Sequence, residues 1–227
     1  MKKVAILQSN YIPWKGYFDI INSVDLFIIY DEVQYTKNDW RNRNVLKTPQ
    51  GLVWLTIPVI KNQLSQKISE TQVANMYWTS KHWKTIKNYY SKAKYFKEYA
   101  PLFEDLYSSI TTSSLSEINL LFIQTINKIL NINTEIIDSE SLDLQGDNNL
   151  RLIDAVKKVG GTHYLSGPSA KSYLNEELFL KEGIEVEWMD YSSYREYNQL
   201  FPPFVHAVSV LDLIFNEGEN AKQFIVR

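Results

Sequence analysis

The amino-acid sequence predicts one α/β domain built on a mostly parallel sheet, and three observations carry that expectation. An apolar run at 4–7 stops at the polar Gln8, Ser9 and Asn10, as a buried strand does when it reaches a loop. Apolar strands and amphipathic helices then alternate from 135 to 189, a rhythm that favours right-handed βαβ crossovers. Gly160-Gly161 and Gly183 stand where the helices of that rhythm would stop.

The elements follow in order. Pro13 breaks the chain after the first strand and Gly16 lets it turn. Tyr17, Phe18, Ile20, Ile21 and Val24 have helical spacing, and 26–30 is a second buried strand. Val45-Leu46 and 53–59, separated by Thr48-Pro49-Gln50-Gly51, predict a hairpin. Rings and aliphatics recur every three or four positions over 77–99 with lysines between them, which predicts one amphipathic helix with a wet basic face. Ser114 and Glu117 match a capping box opening a helix over 115–130. Together 75–132 read as a helical insert packed on a single domain spanning 1–227. The final section predicts strands at 135–137, 163–165 and 186–189, helices at 147–159 and 168–182, and an apolar helix over 210–215.

Composition narrows the function. The 227 residues are 44% hydrophobic and 14% aromatic, enough for one packed core. A net charge of -2 gives no global attraction to nucleic acid or anionic lipid. The absence of Cys excludes disulfides, thiolate nucleophiles and Cys-bound metals. His82, His163 and His206 lack metal-ligand spacing, so no metal site is expected from them. No Walker loop, Gly-x-Ser-x-Gly elbow or Gly-x-Gly-x-x-Gly fingerprint occurs. The first apolar run is too short for a signal peptide or a bilayer span, so no membrane insertion and a cytoplasmic location are expected.

Ligands of open parallel sheets bind where loops leave the carboxyl ends of strands. Three clusters fall there. The first is Gln8, Asn10, Tyr11, Trp14, Lys15, Gly16 and Tyr17, where Gly16 would let backbone approach a nucleotide or phosphate. The second begins with Asp31, Glu32, Gln34, Tyr35 and Lys37 and continues through Asp39, Trp40, Arg41, Asn42 and Arg43 to Asn44. Asp31 is its candidate base, and Arg41 and Arg43 would point the same way as an anion clamp. The third, Ser166, Gly167, Ser169 and Lys171, sits between a strand and a helix and could hold oxygen anions or simply cap the turn. His82, among Trp78, Lys81 and Trp83, is either a general acid–base or a packed histidine. Asp212 reads as an orienting group.

Gln8-x-x-Tyr11-x-Pro13-Trp14-x-Gly16-Tyr17-Phe18-Asp19, with Asp25, Asp31-x-Val33-Gln34-Tyr35 and Trp40-x-Asn42-Arg43-Asn44, resembles the WbqC-like protein family. Trp54-Leu55-Thr56-x-Pro58-Val59, Trp78 with His82, Tyr164 to Gly167 with Tyr173-Leu174, and Ser209 to Gly218 extend the resemblance nearly end to end. Ser9 departs from it, standing where Pro is expected. The family's association with O-antigen and other surface-polysaccharide gene clusters implies work on an activated sugar. The layout also resembles the Rossmann-like, HUP-type fold of nucleotidyltransferases and adenylate-forming synthetases, with Tyr17 in place of their histidine.

These readings imply a transferase modifying or acylating a nucleotide-linked amino sugar. Arg41, Arg43 and the 166–171 turn would hold diphosphate, Asp31 or His82 would act as base, and Trp14, Tyr17 and Trp40 would stack. The alternatives are a nucleotidyltransferase or adenylate-forming enzyme using Mg²⁺ on Asp31 and Glu32, and a non-catalytic sugar- or partner-binding protein. The basic face at 81–97 could guide an acidic carrier protein. The sequence names no cofactor.

Overall fold

The computed structural model describes residues 1–225. β1 (Lys3–Leu7) leads through a loop into α1 (Lys15–Asn22) and β2 (Leu26–Ile29). The chain then leaves the central sheet for residues 30–134. It forms the hairpin of β3 (Arg43–Thr48) and β4 (Gly51–Thr56), the short pair β5 (Val59–Ile60) and β6 (Gln72–Val73), and helices α2 (Tyr77–Tyr90), α3 (Phe96–Ser109) and α4 (Leu115–Ile129). It returns as β7 (Glu135–Asp138), followed by α5 (Asn148–Lys158), β8 (His163–Ser166), α6 (Glu176–Lys181), β9 (Glu185–Trp188) and α7 (Val210–Glu217).

The five strands β7-β2-β1-β8-β9 pair in that order and all in parallel. In chain order within the sheet this is 3-2-1-4-5, a Rossmann-like arrangement whose direction of winding reverses between β1 and β8. Strand alternation divides the core into two faces. Val4, Ile6, Leu26 and Ile28 pack with Ile153, Val156 and Phe179 from α5 and α6. Ala5, Phe27, Ile29 and Leu165 join the cluster that holds Phe18, Ile21, Phe122 and Phe215. That cluster continues into Trp83 and Phe103, so α2, α3 and α4 share apolar packing with the sheet.

Two expected helices divide. The amphipathic stretch 77–99 turns between Tyr90 and Phe96, because Tyr95 N–H donates to the Phe215 carbonyl (2.9 Å) and Trp83 stacks on Phe96 at 6.0 Å across the bend. Tyr90, Ala93 and Phe96 are all buried, so the apolar spacing persists while the axis changes. The stretch 168–182 is a 3-10 turn, Pro168–Ser172, followed by α6, which Asn175 begins by accepting from Glu177 N–H at 3.1 Å. The α4 cap falls as the sequence indicates: Ser114 Oγ accepts from Glu117 N–H. Among the described residues no helix is long and apolar enough to cross a membrane.

Candidate functional site

The reversal between β1 and β8 leaves a crevice of about 380 Å³ at their carboxyl ends. Gln8 enters it from β1, Tyr30 from β2, and Ser166, Gly167 and Ser169 from the turn after β8. Asn148 and Asn149, at the start of α5, line the opposite wall, and Tyr173 closes the mouth. Asn148 and Asn149 thereby bring the α5 N-terminus, which no side chain caps, to this wall. Ser166 is buried beside the Tyr164 hydroxyl, whereas Ser169 is exposed. Lys171 turns outward, with Nζ 5.4 Å from the Trp188 ring, and does not line the crevice.

Arg41 joins the first two sequence clusters. Its guanidinium donates to Asn10 Oδ1 through Nη1 and to Gln8 Oε1 (3.2 Å) through Nη2, with Asp39 at 3.7 Å. Tyr11 N–H donates to the Trp40 carbonyl at 3.0 Å, a backbone tie between the same two loops. Beneath them Asp31, 1% exposed, accepts Ser9 N–H (2.8 Å), Ser9 Oγ–H (2.6 Å) and Ser116 Oγ–H (2.6 Å). Burial raises its carboxyl above the usual range against these bonds. Asn119 completes the clasp by donating to Ser9 Oγ (3.0 Å) and the Arg41 carbonyl (2.9 Å). Glu32 is held by Arg151 (2.9 Å) and Ser139 (3.0 Å). Both carboxylates proposed as Mg²⁺ ligands are thus engaged by this chain's own donors, and among the described residues no three His, Asp or Glu side chains converge.

A second pocket of about 270 Å³ is linked to the crevice through the first loop: Asn10 lines the pocket, Gln8 lines the crevice, and Arg41 bonds to both. Trp14 and Trp40 wall it, with Asn10, Asn44 and Ala207. Tyr191 also spans the two spaces: its ring lies 4.9 Å from that of Trp14, and its hydroxyl is 3.7 Å from where a Cβ on Gly167 would sit. The space over Gly16 is filled by the Trp14 indole rather than left open to a ligand. Tyr17 is buried and donates to the Gln8 carbonyl at 3.0 Å, so it supports the loop from below.

The remaining residues of the second cluster divide by burial. Asn42 Nδ2 donates to the Ile57 carbonyl (2.8 Å), Asn44 Nδ2 to those of Tyr11 and Ile12, and Tyr35 is buried, so these three shape the loops. Gln34 donates to the Leu64 carbonyl at 2.5 Å, and Lys37 is exposed. Arg43 leaves Arg41 and stacks on Trp54, 4.1 Å from guanidinium carbon to ring centroid, so the two arginines engage different partners instead of forming one clamp.

His82 lies away from the strand ends, lining a third pocket with Trp54, Tyr77 and Lys81. It is 4% exposed, and desolvation lowers its pKa to about 4, so it is neutral at physiological pH. Nε2–H then donates to the Thr56 carbonyl (3.2 Å), and Nδ1 accepts from Tyr11 OH (2.9 Å), which accepts from Tyr107 OH (2.5 Å). This directed chain holds Tyr11.

Tyr30, Asn148, Asn149 and Tyr191 were not singled out from sequence as site residues. Gly146-Asp147-Asn148-Asn149 opening a helix after a strand was the available signal for the α5 wall. A second buried polar group lies under α7: Asp212, fully buried, accepts from Tyr90 OH (2.8 Å) and Tyr197 OH (2.7 Å). Nearby, Lys15 is 2% exposed, donates to the Arg195 carbonyl at 3.0 Å, and sits against Tyr194, Tyr197 and Phe204. Burial lowers its pKa to about 8.

Fold and crevice define a Rossmann-like α/β protein with a crevice at the switch point of its parallel sheet. The chain belongs to the WbqC-like protein family, which matches residues 8–224. It is 46% identical over 226 residues to the uncharacterized protein Rv1507c of Mycobacterium tuberculosis (strain ATCC 25618 / H37Rv), covering 99% of this chain and 98% of that one. No solved structure gives a significant match.

Proposed function

We propose that this protein is a cytoplasmic transferase of bacterial surface-polysaccharide biosynthesis, modifying or acylating a nucleotide-linked amino sugar. The observation that carries the reading is the Arg41 guanidinium, which bonds both Gln8 of the crevice and Asn10 of the Trp14–Trp40 pocket. A nucleotide would occupy the crevice with its base against Tyr173. Its diphosphate would lie between the α5 N-terminus, Ser169 and Arg41. The sugar would reach past Arg41 into the pocket between the indoles. The crevice, at about 380 Å³, falls within the range of about 300–1,000 Å³ usual for a small-molecule ligand.

In this reading Asp31 and His82 are positioning residues, holding Ser9 and Tyr11 in the loop that carries Gln8 and Asn10. Calorimetry with a panel of nucleotides and nucleotide amino sugars is the test. Saturable binding that Arg41→Gln weakens supports the reading, and no binding at millimolar ligand ends it.

One observation favours a second reading, a binding protein without turnover. No His, Asp or Glu side chain lines the crevice or the tryptophan pocket among the described residues. Binding without product, when each nucleotide amino sugar is incubated with acyl donors and followed by mass spectrometry, would select it.

A further inference from the structure

The register of the β3–β4 hairpin places Arg43 opposite Thr56 and Val45 opposite Trp54, so Arg43 and Trp54 are diagonal neighbours on one face. Trp40 adjoins them, its ring 5.6 Å from that of Trp54 and tilted by 32°. Both indoles are large apolar rings left 43% and 45% exposed. Beside them the Arg43 guanidinium finds neither a hydrogen-bond acceptor nor a carboxylate in ion-pair range among the described residues, and its Nε is closed from solvent without a partner. Arg151, by contrast, has the Glu32 carboxylate at 2.9 Å. A half-buried guanidinium stacked on an indole keeps its terminal Nη donors for an oxygen anion, because the ring face satisfies the charge only in part.

The geometry points to an acceptor subsite for an anionic saccharide: a pyranose lying on Trp40 and Trp54, with its carboxylate or phosphate on the fork of Arg43. Flat indole faces suit the C–H face of a sugar ring, and one guanidinium supplies one anion contact per ring, unlike a basic track for a polyphosphate chain. Position supports the assignment. Trp40 also walls the pocket given above to the donor sugar, so a saccharide on the hairpin would meet the donor at that ring. The role as acceptor rests on the transferase reading; the binding chemistry does not.

The test is titration of wild type, Arg43→Gln and Trp54→Ala by calorimetry. The probes are a tetrasaccharide of alternating glucuronate and N-acetylglucosamine, glucose 6-phosphate, and neutral maltotetraose, with circular dichroism to verify folding. One of the two anionic probes should bind wild type about tenfold tighter than maltotetraose, the margin of one charge-assisted contact, and the tighter one identifies carboxylate or phosphate as the anion. Arg43→Gln should abolish that margin while leaving maltotetraose binding unchanged, and Trp54→Ala should weaken every saccharide. Equal binding of neutral and anionic probes, a margin that survives Arg43→Gln, or no saccharide binding at all overturns the subsite. A parallel titration with UDP separates the two ideas: UDP binding without anionic saccharide binding removes only the subsite, and the converse removes the nucleotide crevice.

Discussion

Ser9 binds Asp31 twice, through its backbone N–H at 2.8 Å and its hydroxyl at 2.6 Å, and so locks the loop after β1 to the end of β2. Proline, which the family resemblance leads one to expect at position 9, has neither donor. In this chain the pair fixes the loop that presents Gln8 and Asn10 to Arg41. Asp31→Ala leaves the Ser9 amide buried without an acceptor, a loss of about 1–3 kcal/mol in unfolding free energy. Urea denaturation measures it, and unchanged stability would show that the loop does not depend on this bond.

The same carboxyl should leave a signature in pH. Burial raises the folded-state pKa of Asp31, so the folded chain holds this proton more tightly than the unfolded chain. Its contribution to stability is greatest below the ordinary carboxylate pKa and declines as pH rises through the raised value. Asp31→Asn removes that decline. The difference in thermal midpoint between wild type and Asp31→Asn should therefore move in favour of the variant as pH rises above the ordinary carboxylate pKa of about 4.

His82 has the opposite slope. Its folded pKa is lowered to about 4 from an ordinary 6.5, so the unfolded chain binds the extra proton between those values. The stability it confers is complete above about pH 6.5 and is lost as pH falls through about 4, a total of about 3 kcal/mol. Replacing it by Gln, which keeps a donor and an acceptor, should flatten the urea-unfolding profile over this interval. An unchanged profile would place the titration elsewhere.

Much of the sheet was legible in the sequence because its central strands hold short apolar runs ended by polar residues, as 4–7 is by Gln8 to Asn10. The bend between α2 and α3 was not, since Tyr90, Ala93 and Phe96 keep helical spacing on both sides of a turn that a contact with distant Phe215 imposes. Arg41 and Arg43 read in the sequence as one candidate anion clamp, but their separation depends on the turn before β3 and on Trp54, a cross-strand neighbour. The α5 wall was hidden for another reason. Asn148 and Asn149 read as ordinary helix-start residues until the strand order places them across from β1.

Tyr173 separates the proposed nucleotide site from a merely polar groove. It is 68% exposed at the crevice mouth, and no core packing depends on it. Tyr173→Ala should raise the dissociation constant for UDP by about tenfold, given about 1–3 kcal/mol for one base on one ring. Thermal stability should stay within about 0.5 kcal/mol of wild type. Equal UDP affinity in the two proteins would move the base to another wall.

Gly16 tests whether the tryptophan pocket is built by exclusion. A Cβ there would fall inside the Trp14 indole, so Gly16→Ala must displace the ring that walls the pocket and contacts Tyr191. Overpacking of this kind costs about 1–3 kcal/mol, and the displaced ring would no longer flank a sugar. The expected result is lowered stability together with loss of affinity for a nucleotide amino sugar, while affinity for the free nucleotide, held on the far side of Arg41, stays near wild type. That split is the informative quantity. A uniform loss for nucleotide and nucleotide sugar would mean that the two spaces act as one site and that Arg41 does not divide them.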